Sequence, residues 1–302
     1  MSNILFLPIF ISLLGGVLTL SFWRSIRWQK RVTLLSATAY LIVAVLLLRK
    51  VIQEGYIVLQ MGSWAAPFGI TLVADVLSAT MILLTGIVGF SAALYSMASV
   101  PNQHIRFGYF SLLQLLLAGV SGAFLTGDVF NLFVWFEVML LASFGLLTLG
   151  GERNQMEGAI KYVTINLFSS AIFLSAIGLL YGTTGTLNMA DLSVNLTGVE
   201  EQGLVHVLAL MFMVSFGIKA GAFPLFFWLP ASYHTPLVAV SAVFAGLLTK
   251  VGVYALYRFF SVIFIGDIEY THTIILWLGI LTMLTGVLGA AAQFEFRRIL
   301  SF

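Results

Sequence analysis

Long apolar runs separated by short polar connections dominate the sequence. A helix that crosses a bilayer needs about 20 mainly apolar residues, and glycine or proline is tolerated where neighbouring helices satisfy the freed backbone groups. The pattern predicts an all-α polytopic membrane protein with about nine transmembrane helices. The predicted spans are residues 3–22, 33–48, 73–98, 107–126, 128–149, 158–182, 204–229, 236–258 and 273–293.

The distribution of basic residues predicts the orientation. An uncleaved first span with its N-terminus outside places eight Lys and Arg residues in cytoplasmic loops and three on the opposite face, as the positive-inside rule requires. The C-terminus is then cytoplasmic. The eight are Arg24, Arg27, Lys30, Arg31, Arg106, Arg153, Arg297 and Arg298, and the three are Arg49, Lys50 and Arg258.

Two external connections are long enough to have structure of their own. Residues 56–72 carry β-formers on both sides of a turn-forming stretch, which predicts a hairpin. Residues 187–203 carry Asp191, Glu200 and Glu201 with leucine and valine between them, which favours a short amphipathic surface helix.

Composition agrees with this pattern, because 60% of the residues are hydrophobic and 9% are charged. A net charge of +2 is too small for nucleic-acid binding, so we expect no such partner. The absence of cysteine excludes thiolate-held iron–sulfur clusters and cysteine-ligated zinc sites. Phosphate-loop, HExxH and dinucleotide-binding motifs are also missing, so we expect neither cofactor nor metal, and a non-enzymatic protein.

Glu137 lies at the tenth residue of the fifth predicted span, near the middle of the bilayer. An ionised side chain at such a depth costs about 2.5–3.5 kcal/mol on insertion scales and is a candidate for function. Asp75, Asp128 and Lys161 lie near span starts, where interfacial placement or helix-end electrostatics accounts for them.

Lys219 is the second mid-membrane charge. Gly217 and Gly221 flank it with GxxxG spacing, which predicts close helix approach, and Pro224 follows five residues later. Proline removes a helical hydrogen bond, so a break is expected beside the lysine, as in ion carriers with discontinuous spans.

Lys250 lies midway along the eighth predicted span. Tyr254 and Tyr257 follow at i+4 and i+7, so we expect a hydrated polar stripe on one helix face. His234 precedes this span at its cytoplasmic end, where an imidazole can pass protons inward. One lysine of the mid-membrane group is expected to alternate between neutral and charged forms, which makes it a proton carrier.

These residues also admit structural interpretations. Glu137 and Lys219 can form an ion pair that only joins two helices. Lys250 can extend toward the lipid interface, and His234 can be an ordinary loop histidine. A purely structural membrane scaffold therefore stays open as a third interpretation of the chain.

The combination of Glu137, Lys219 and Lys250 resembles the antiporter-like membrane subunits shared by respiratory complex I and the Mrp multisubunit cation/proton antiporters. The runs KAGAFPLFFWLPASYH (219–234) and PLVAVSAVFAGLLTKVGVYALYR (236–258) are most similar to the D-type subunits of the Mrp branch. The resemblance implies that Glu137 pairs with Lys219 and that Lys250 leads to a central hydrated axis.

Members of that family typically have about fourteen spans built around two inverted five-helix repeats. The resemblance implies N-terminal helices and an external hairpin in residues 1–106, the first repeat in 107–258, and the start of a second repeat in 259–302. We therefore expect an apparently C-terminally truncated subunit, without a counterpart of the family's ionisable residue on the twelfth span.

The resemblance implies a subunit of a cation/proton antiporter in a prokaryotic plasma membrane. Its protons would move through the Glu/Lys relay in exchange for sodium, and its partners would be the other membrane subunits of an Mrp complex and the lipid bilayer. The alternative is a proton-translocating subunit of an NADH-quinone oxidoreductase or a related redox-driven complex.

Overall fold

The computed structural model describes residues 2–302, most of which are helical. Within these residues the α-helices are α1 (Leu7–Ser21), α2 (Ile26–Glu54), α3 (Val76–Ser99), α4 (Asn102–Arg106), α5 (Tyr109–Leu125), α6 (Val129–Thr148), α7 (Arg153–Thr184), α8 (Met189–Asn195), α9 (Gln202–Ala220), α10 (Trp228–Ser232), α11 (Val238–Val243), α12 (Thr249–Arg258), α13 (Ile268–Ala291) and α14 (Phe296–Ile299). Short 3₁₀ turns cover Ser2–Leu5, Met61–Ser63 and Leu196–Gly198.

Seven helical segments within residues 2–302 are long and apolar enough to cross a membrane. They are α2, α3, α6, α7, α9, the continuous segment Val238–Ile263, and α13. The apolar helices α1 and α5 have 15 and 17 residues. Each predicted span therefore overlaps an apolar helix, although α9 ends at Ala220 within the span predicted for residues 204–229. The two shortest helices, α1 and α5, reach only about 22 and 26 Å at 1.5 Å per residue.

The helix boundaries differ from the predicted spans at several charged positions. Helix α2 begins at Ile26, so Arg27, Lys30 and Arg31 lie on its first turns instead of in a loop. The eighth helical segment continues to Ile263 through a π-helical turn, so Arg258 is inside it. The mainly apolar run Phe259–Ile263 extends the helix past Arg258. The sequence pattern alone predicts that the span ends at Arg258.

Side-chain caps explain where several helices begin. Asp75 accepts a hydrogen bond from the Ser78 backbone N–H in a capping box at the start of α3. Asp128 accepts from the Asn131 N–H at 2.7 Å at the start of α6. The helix-end interpretation of these two aspartates is confirmed, and burial raises the pKa of the Asp128 carboxyl.

The predicted hairpin and surface helix are present. Strands β1 (Ile57–Gln60) and β2 (Thr71–Ala74) pair antiparallel with Ile57 opposite Ala74. Helix α8 lies within 187–203, as predicted. A β-bridge between Leu72 and Thr126 joins the hairpin to the α5–α6 connection. A second bridge, between Asp128 and Asn188, joins that connection to the α7–α8 connection.

Helix α5 lies at the centre of the bundle and is buried along nearly all its length. It packs closely on α6 because two of its residues lack a side chain. A Cβ on Gly119 would approach Met139 Cγ to 2.7 Å, and one on Gly122 would overlap the Trp135 ring. This close packing holds α6, and with it Glu137, against the core.

The predicted break beside Lys219 is present, and it begins earlier than Pro224. Helix α9 ends at Ala220, and Gly221 adopts the left-handed conformation with φ +69°. Glycine suits this position because positive φ disfavours other residues and the Leu229 side chain occupies the space of a Cβ. Helix α10 starts only at Trp228.

Candidate functional site

The centre of the candidate site is a hydroxyl-bridged pair of charged residues. Lys219 Nζ donates to Ser170 Oγ over 3.2 Å, and Ser170 Oγ donates to Glu137 Oε1. The three residues come from α9, α7 and α6. The structure brings Glu137 and Lys219 to the same site, but within residues 2–302 the contact between them runs through the serine, and they form no direct ion pair.

Lys219 is buried, with 6% of its surface exposed. Its ammonium lies 4.8 Å from the centre of the Phe136 ring, close enough for a cation–π interaction. Phe136 packs in turn against Phe173 and Phe216. Since a buried charge is stable only with compensating partners, the state of Lys219 depends on Glu137, Ser170 and this ring.

A small cavity of about 20 Å³ adjoins Lys219. Its lining includes Tyr162, Asn166 and Trp228. A space of this size can hold a single water molecule where polar groups are present. Tyr162 already exchanges a 2.6 Å hydrogen bond with Ser143, so the cavity adjoins a polar pair within an apolar surround.

The broken end of α9 is held by side chains from other elements. Trp228 Nε1 donates to the Ile218 carbonyl over 3.0 Å, and the Phe223 N–H donates to Thr282 Oγ1 over 2.9 Å. These bonds satisfy backbone groups next to the break, which is the condition for irregular backbone at membrane depth. They also fix the turn of α9 that carries Lys219.

The predicted GxxxG contact is not formed in the way expected. A Cβ on Gly217 would meet only Ala222, at 4.0 Å, and Gly221 lies beyond the helix end. The close approach comes from α12, where a Cβ on Gly252 would lie 2.5 Å from the Ala220 nitrogen and 2.7 Å from the Lys219 carbonyl carbon. Gly252 therefore positions α12 directly against the lysine-bearing turn.

Lys250 lies apart from the hydroxyl-bridged pair. It follows a π-helical turn at Phe244–Leu248, and its Nζ donates to the Ala245 carbonyl. Its side chain is exposed on the surface of the described residues. Such π-turns occur often at functional sites, and this one leaves a backbone carbonyl available to the ammonium.

The two tyrosines of the polar stripe predicted beside Lys250 differ in their exposure to solvent. Tyr257 is 59% exposed, whereas Tyr254 is buried and donates from its hydroxyl to the Phe124 carbonyl over 2.8 Å. The prediction of two hydrated phenols is therefore wrong for Tyr254. Its ring packs edge-on against Phe124 at 4.9 Å, a tertiary contact that helix periodicity does not reveal.

His234 lies in the connection after α10, between Pro230 and Pro236 as the sequence requires. Its Nδ1 is 2.6 Å from the Pro230 carbonyl, a distance that places the ring proton on Nδ1. It lines a cleft of about 340 Å³ together with Glu157 and Lys161. The structure places this polar cleft at the same end of the bundle as the start of α7.

A second charged contact joins α3 to α12. Arg258 Nη2 lies 2.6 Å from Asp75 Oδ1, and Arg258 Nε donates to the Tyr254 hydroxyl over 2.9 Å. Burial alone would raise the pKa of the Asp75 carboxyl, but hydrogen bonds from Arg258 and Ser78 and the arginine charge leave that pKa below its ordinary value. The contacts with Asp75 and Tyr254 explain how the charge of Arg258 is accommodated near the end of an apolar helix.

Comparison with known proteins finds that the chain is similar to membrane transport and respiratory proteins. The profile of a family described as NADH:quinone oxidoreductase/Mrp antiporter, TM, matches residues 126–302. The chain is 46% identical over 302 residues to the D-type subunit of the Na(+)/H(+) antiporter from Alkalihalophilus pseudofirmus, and 42% identical to the corresponding protein of Bacillus subtilis. It spans 61% of the length of each of these curated relatives.

Two solved structures share its fold. The Mrp complex from Dietzia sp. DQ12-45-1b contains a chain that matches with a TM-score of 0.88 and 34% identity, over 99% of this chain and 56% of that one. A chain of the membrane-bound sulfane sulfur reductase, an archaeal respiratory membrane complex, matches with a TM-score of 0.91 and 26% identity, over 99% and 61%.

Proposed function

Because the chain belongs to the NADH:quinone oxidoreductase/Mrp antiporter transmembrane family, we propose that it is a membrane subunit of a multisubunit cation/proton antiporter. Protons move through Glu137 and Lys219 in exchange for sodium. The observation that carries this proposal is the buried lysine held by a carboxylate and a hydroxyl at the break in α9. Its partners are the other membrane subunits of an Mrp-type complex.

The contacts of Lys219 support a coupling role. A positive charge among aromatic rings is stabilised chiefly by the nearby carboxylate, so a change in the charge of Glu137 changes the affinity of Lys219 for its proton. A carrier whose proton affinity depends on a neighbouring charge can take up a proton in one state and release it in another. A purely structural ion pair requires neither the helix break nor the adjoining cavity.

Lys250 and His234 extend the proposed path on either side of this pair. Lys250 lies on the surface of α12, the helix whose Gly252 contacts the Lys219 turn, so it carries protons laterally away from the pair. His234 lies in the polar cleft beside Glu157 and Lys161, so it exchanges protons with the aqueous phase. These assignments follow the family resemblance and the positions of the two side chains.

The topology is also part of the proposal. We infer nine transmembrane helices, counting the short α1 and α5 with the seven longer segments, with the N-terminus outside and the C-terminus cytoplasmic. The division into N-terminal helices (1–106), a first five-helix repeat (107–258) and the start of a second (259–302) follows the same reasoning. In this topology His234 and its cleft are on the cytoplasmic side.

A second candidate function is proton translocation driven by electron transfer in a respiratory complex. The similarity to a chain of the archaeal sulfane sulfur reductase complex favours it, since that fold match has a TM-score of 0.91. The two functions differ in their driving force. An antiporter moves protons when a sodium gradient is imposed, whereas a redox-driven translocase requires an electron donor and acceptor.

The experiment that tests the proposal imposes a sodium gradient on everted vesicles containing the complete complex. A pH-sensitive dye reports proton movement, and no respiratory substrate is added. We expect proton flux that depends on sodium and is absent from vesicles lacking the complex. Flux that appears only with an electron donor would contradict the antiporter function and support the redox-driven alternative.

A further inference from the structure

The hydroxyl of Ser170 occupies the space between the two charged groups of the candidate site. Ser170 is buried on α7, with 5% of its surface exposed. It accepts a hydrogen bond from Lys219 Nζ over 3.2 Å and donates one to Glu137 Oε1. A serine hydroxyl has one proton to donate and two lone pairs to accept with, so it satisfies an ammonium and a carboxylate at the same time.

In the described structure, the Ser170 hydroxyl is the polar group that connects Lys219 with Glu137, because the side chains around it are mainly aromatic. The aromatic rings of Phe136, Phe173 and Phe216 pack together beside it. The small cavity that can hold a water is lined by Lys219, and its lining does not include Glu137 or Ser170. A water in that cavity therefore reaches the lysine from another side.

We propose that Ser170 is the proton bridge between Lys219 and Glu137, a role that rests on the proposed function. As the Lys219 N–H bond breaks, its proton forms a bond to Ser170 Oγ, while the original hydroxyl proton leaves Ser170 for Glu137 Oε1. The products are a neutral amine, a regenerated hydroxyl and a carboxylic acid. The reverse transfers restore the ion pair, and the net charge of the three groups is the same throughout.

This bridge explains how a buried ion pair is neutralised without water. Separate release of a proton from Lys219 would leave Glu137 charged and unpaired in an apolar region, which is strongly unfavourable. Transfer through Ser170 removes both charges together. The neutral Lys219 amine can then accept a new proton from the side of the cavity.

The neighbouring Ser169 provides a matched control. It is also buried on α7, but its hydroxyl donates to the Ser215 backbone carbonyl over 2.8 Å, and Ser215 Oγ returns a bond to the Ser169 carbonyl over 3.0 Å. These reciprocal bonds fasten α7 to α9. The hydrogen bonds of the Ser169 hydroxyl therefore go to Ser215 and serve helix packing.

The test compares Ser170→Thr with Ser170→Val in the complete complex. Threonine and valine have nearly the same shape, so they impose the same packing change and differ in the hydroxyl. Sodium-driven proton flux in everted vesicles is normalised to the amount of assembled complex. We expect Ser170→Thr to keep flux within about threefold of wild type and Ser170→Val to lose about 10²-fold, the range typical of a removed proton-transfer group.

Two further measurements separate a proton bridge from a packing contact. The maximum flux of Ser170→Val should fall while the sodium concentration that gives half-maximal flux stays unchanged. Ser169→Ala should retain flux despite losing hydrogen bonds between the helices. Equal flux in Ser170→Val and Ser170→Thr would overturn the bridge.

Glu137→Gln in the same experiment distinguishes failure of the bridge from failure of the proposed function. If Ser170→Val is active and Glu137→Gln is inactive, the serine bridge is wrong and the proposed relay stands. If Glu137→Gln is itself active, the proposed function of the pair is wrong and the bridge is overturned with it.

Discussion

Replacing Gly252 with alanine should disturb the candidate site without changing any polar group in it. Gly252 lies on α12 where this helix crosses the end of α9. A Cβ there would lie 2.5 Å from the Ala220 nitrogen, 2.7 Å from the Lys219 carbonyl carbon and 2.8 Å from the Ala220 Cα. Non-bonded heavy atoms normally rest about 3.5 Å apart, so one of the two helices must move by about 1 Å.

The displacement should lower the stability of the protein and should reduce proton flux more strongly. Overpacking of this kind typically destabilises a folded protein by about 1–3 kcal/mol. The atoms affected are backbone atoms, which cannot move aside as a flexible side chain does. A shift of about 1 Å in the Lys219 turn is large compared with the narrow range of donor–acceptor distances that its 3.2 Å hydrogen bond to Ser170 allows. Such a misplacement can reduce activity by about 10²-fold.

The assay is sodium-driven proton flux in everted vesicles, together with thermal unfolding of the solubilised complex. Gly182→Ala on α7 is the matched control, because a Cβ there has no neighbour within 4 Å. We expect Gly252→Ala to assemble with reduced stability and to lose most of its flux, and Gly182→Ala to behave as wild type. Wild-type flux from Gly252→Ala would refute the claim that close contact between α12 and α9 positions the lysine.

Three further predictions concern charge and topology. Lys219→Arg should abolish sodium-driven proton flux despite retaining the positive charge, because a guanidinium group does not deprotonate in proteins; measurable antiport would contradict a proton-carrying role. Asp75→Asn should lower the free energy of unfolding of the complex by about 1–2 kcal/mol at neutral pH, because it removes the charged partner of Arg258. Since the Asp75 pKa is lowered, the stabilisation it provides is present at neutral pH and is lost as the pH falls, so wild type and Asp75→Asn should converge in acid. Because the chain has no cysteine, Ser193→Cys should react with a membrane-impermeant reagent from outside and Ser25→Cys only after permeabilisation, and the reverse pattern would overturn the orientation.

Sequence patterns predicted the features that depend on local chemistry. Runs of apolar residues determine where helices cross the bilayer, and an isolated charge within such a run is recognisable at once. Glu137 and Lys219 were identified for this reason. The break after Lys219 was also predictable, although Gly221 ends the helix before Pro224 is reached.

The residues that sequence patterns do not reveal act through tertiary contacts. Ser170 is an ordinary small polar residue in a long apolar helix, and only the meeting of α6, α7 and α9 gives its hydroxyl two charged neighbours. Gly252 belongs to a sequence rich in glycine, and its role depends on which helix crosses it. Helical periodicity predicts a hydrated face for Tyr254, but its contact with Phe124 buries it.

The most direct test of the relay compares two glutamates of this chain in the complete complex. Glu137→Gln removes the carboxylate bonded to Ser170, whereas Glu54→Gln removes an exposed carboxylate at the end of α2 that lies 3.8 Å from Lys50 Nζ. Both changes are isosteric, and a surface ion pair such as Lys50–Glu54 contributes little to stability. With sodium-driven proton flux as the measurement, the relay predicts that Glu137→Gln is inactive and that Glu54→Gln matches wild type. Full flux from Glu137→Gln in an equally assembled complex would contradict it.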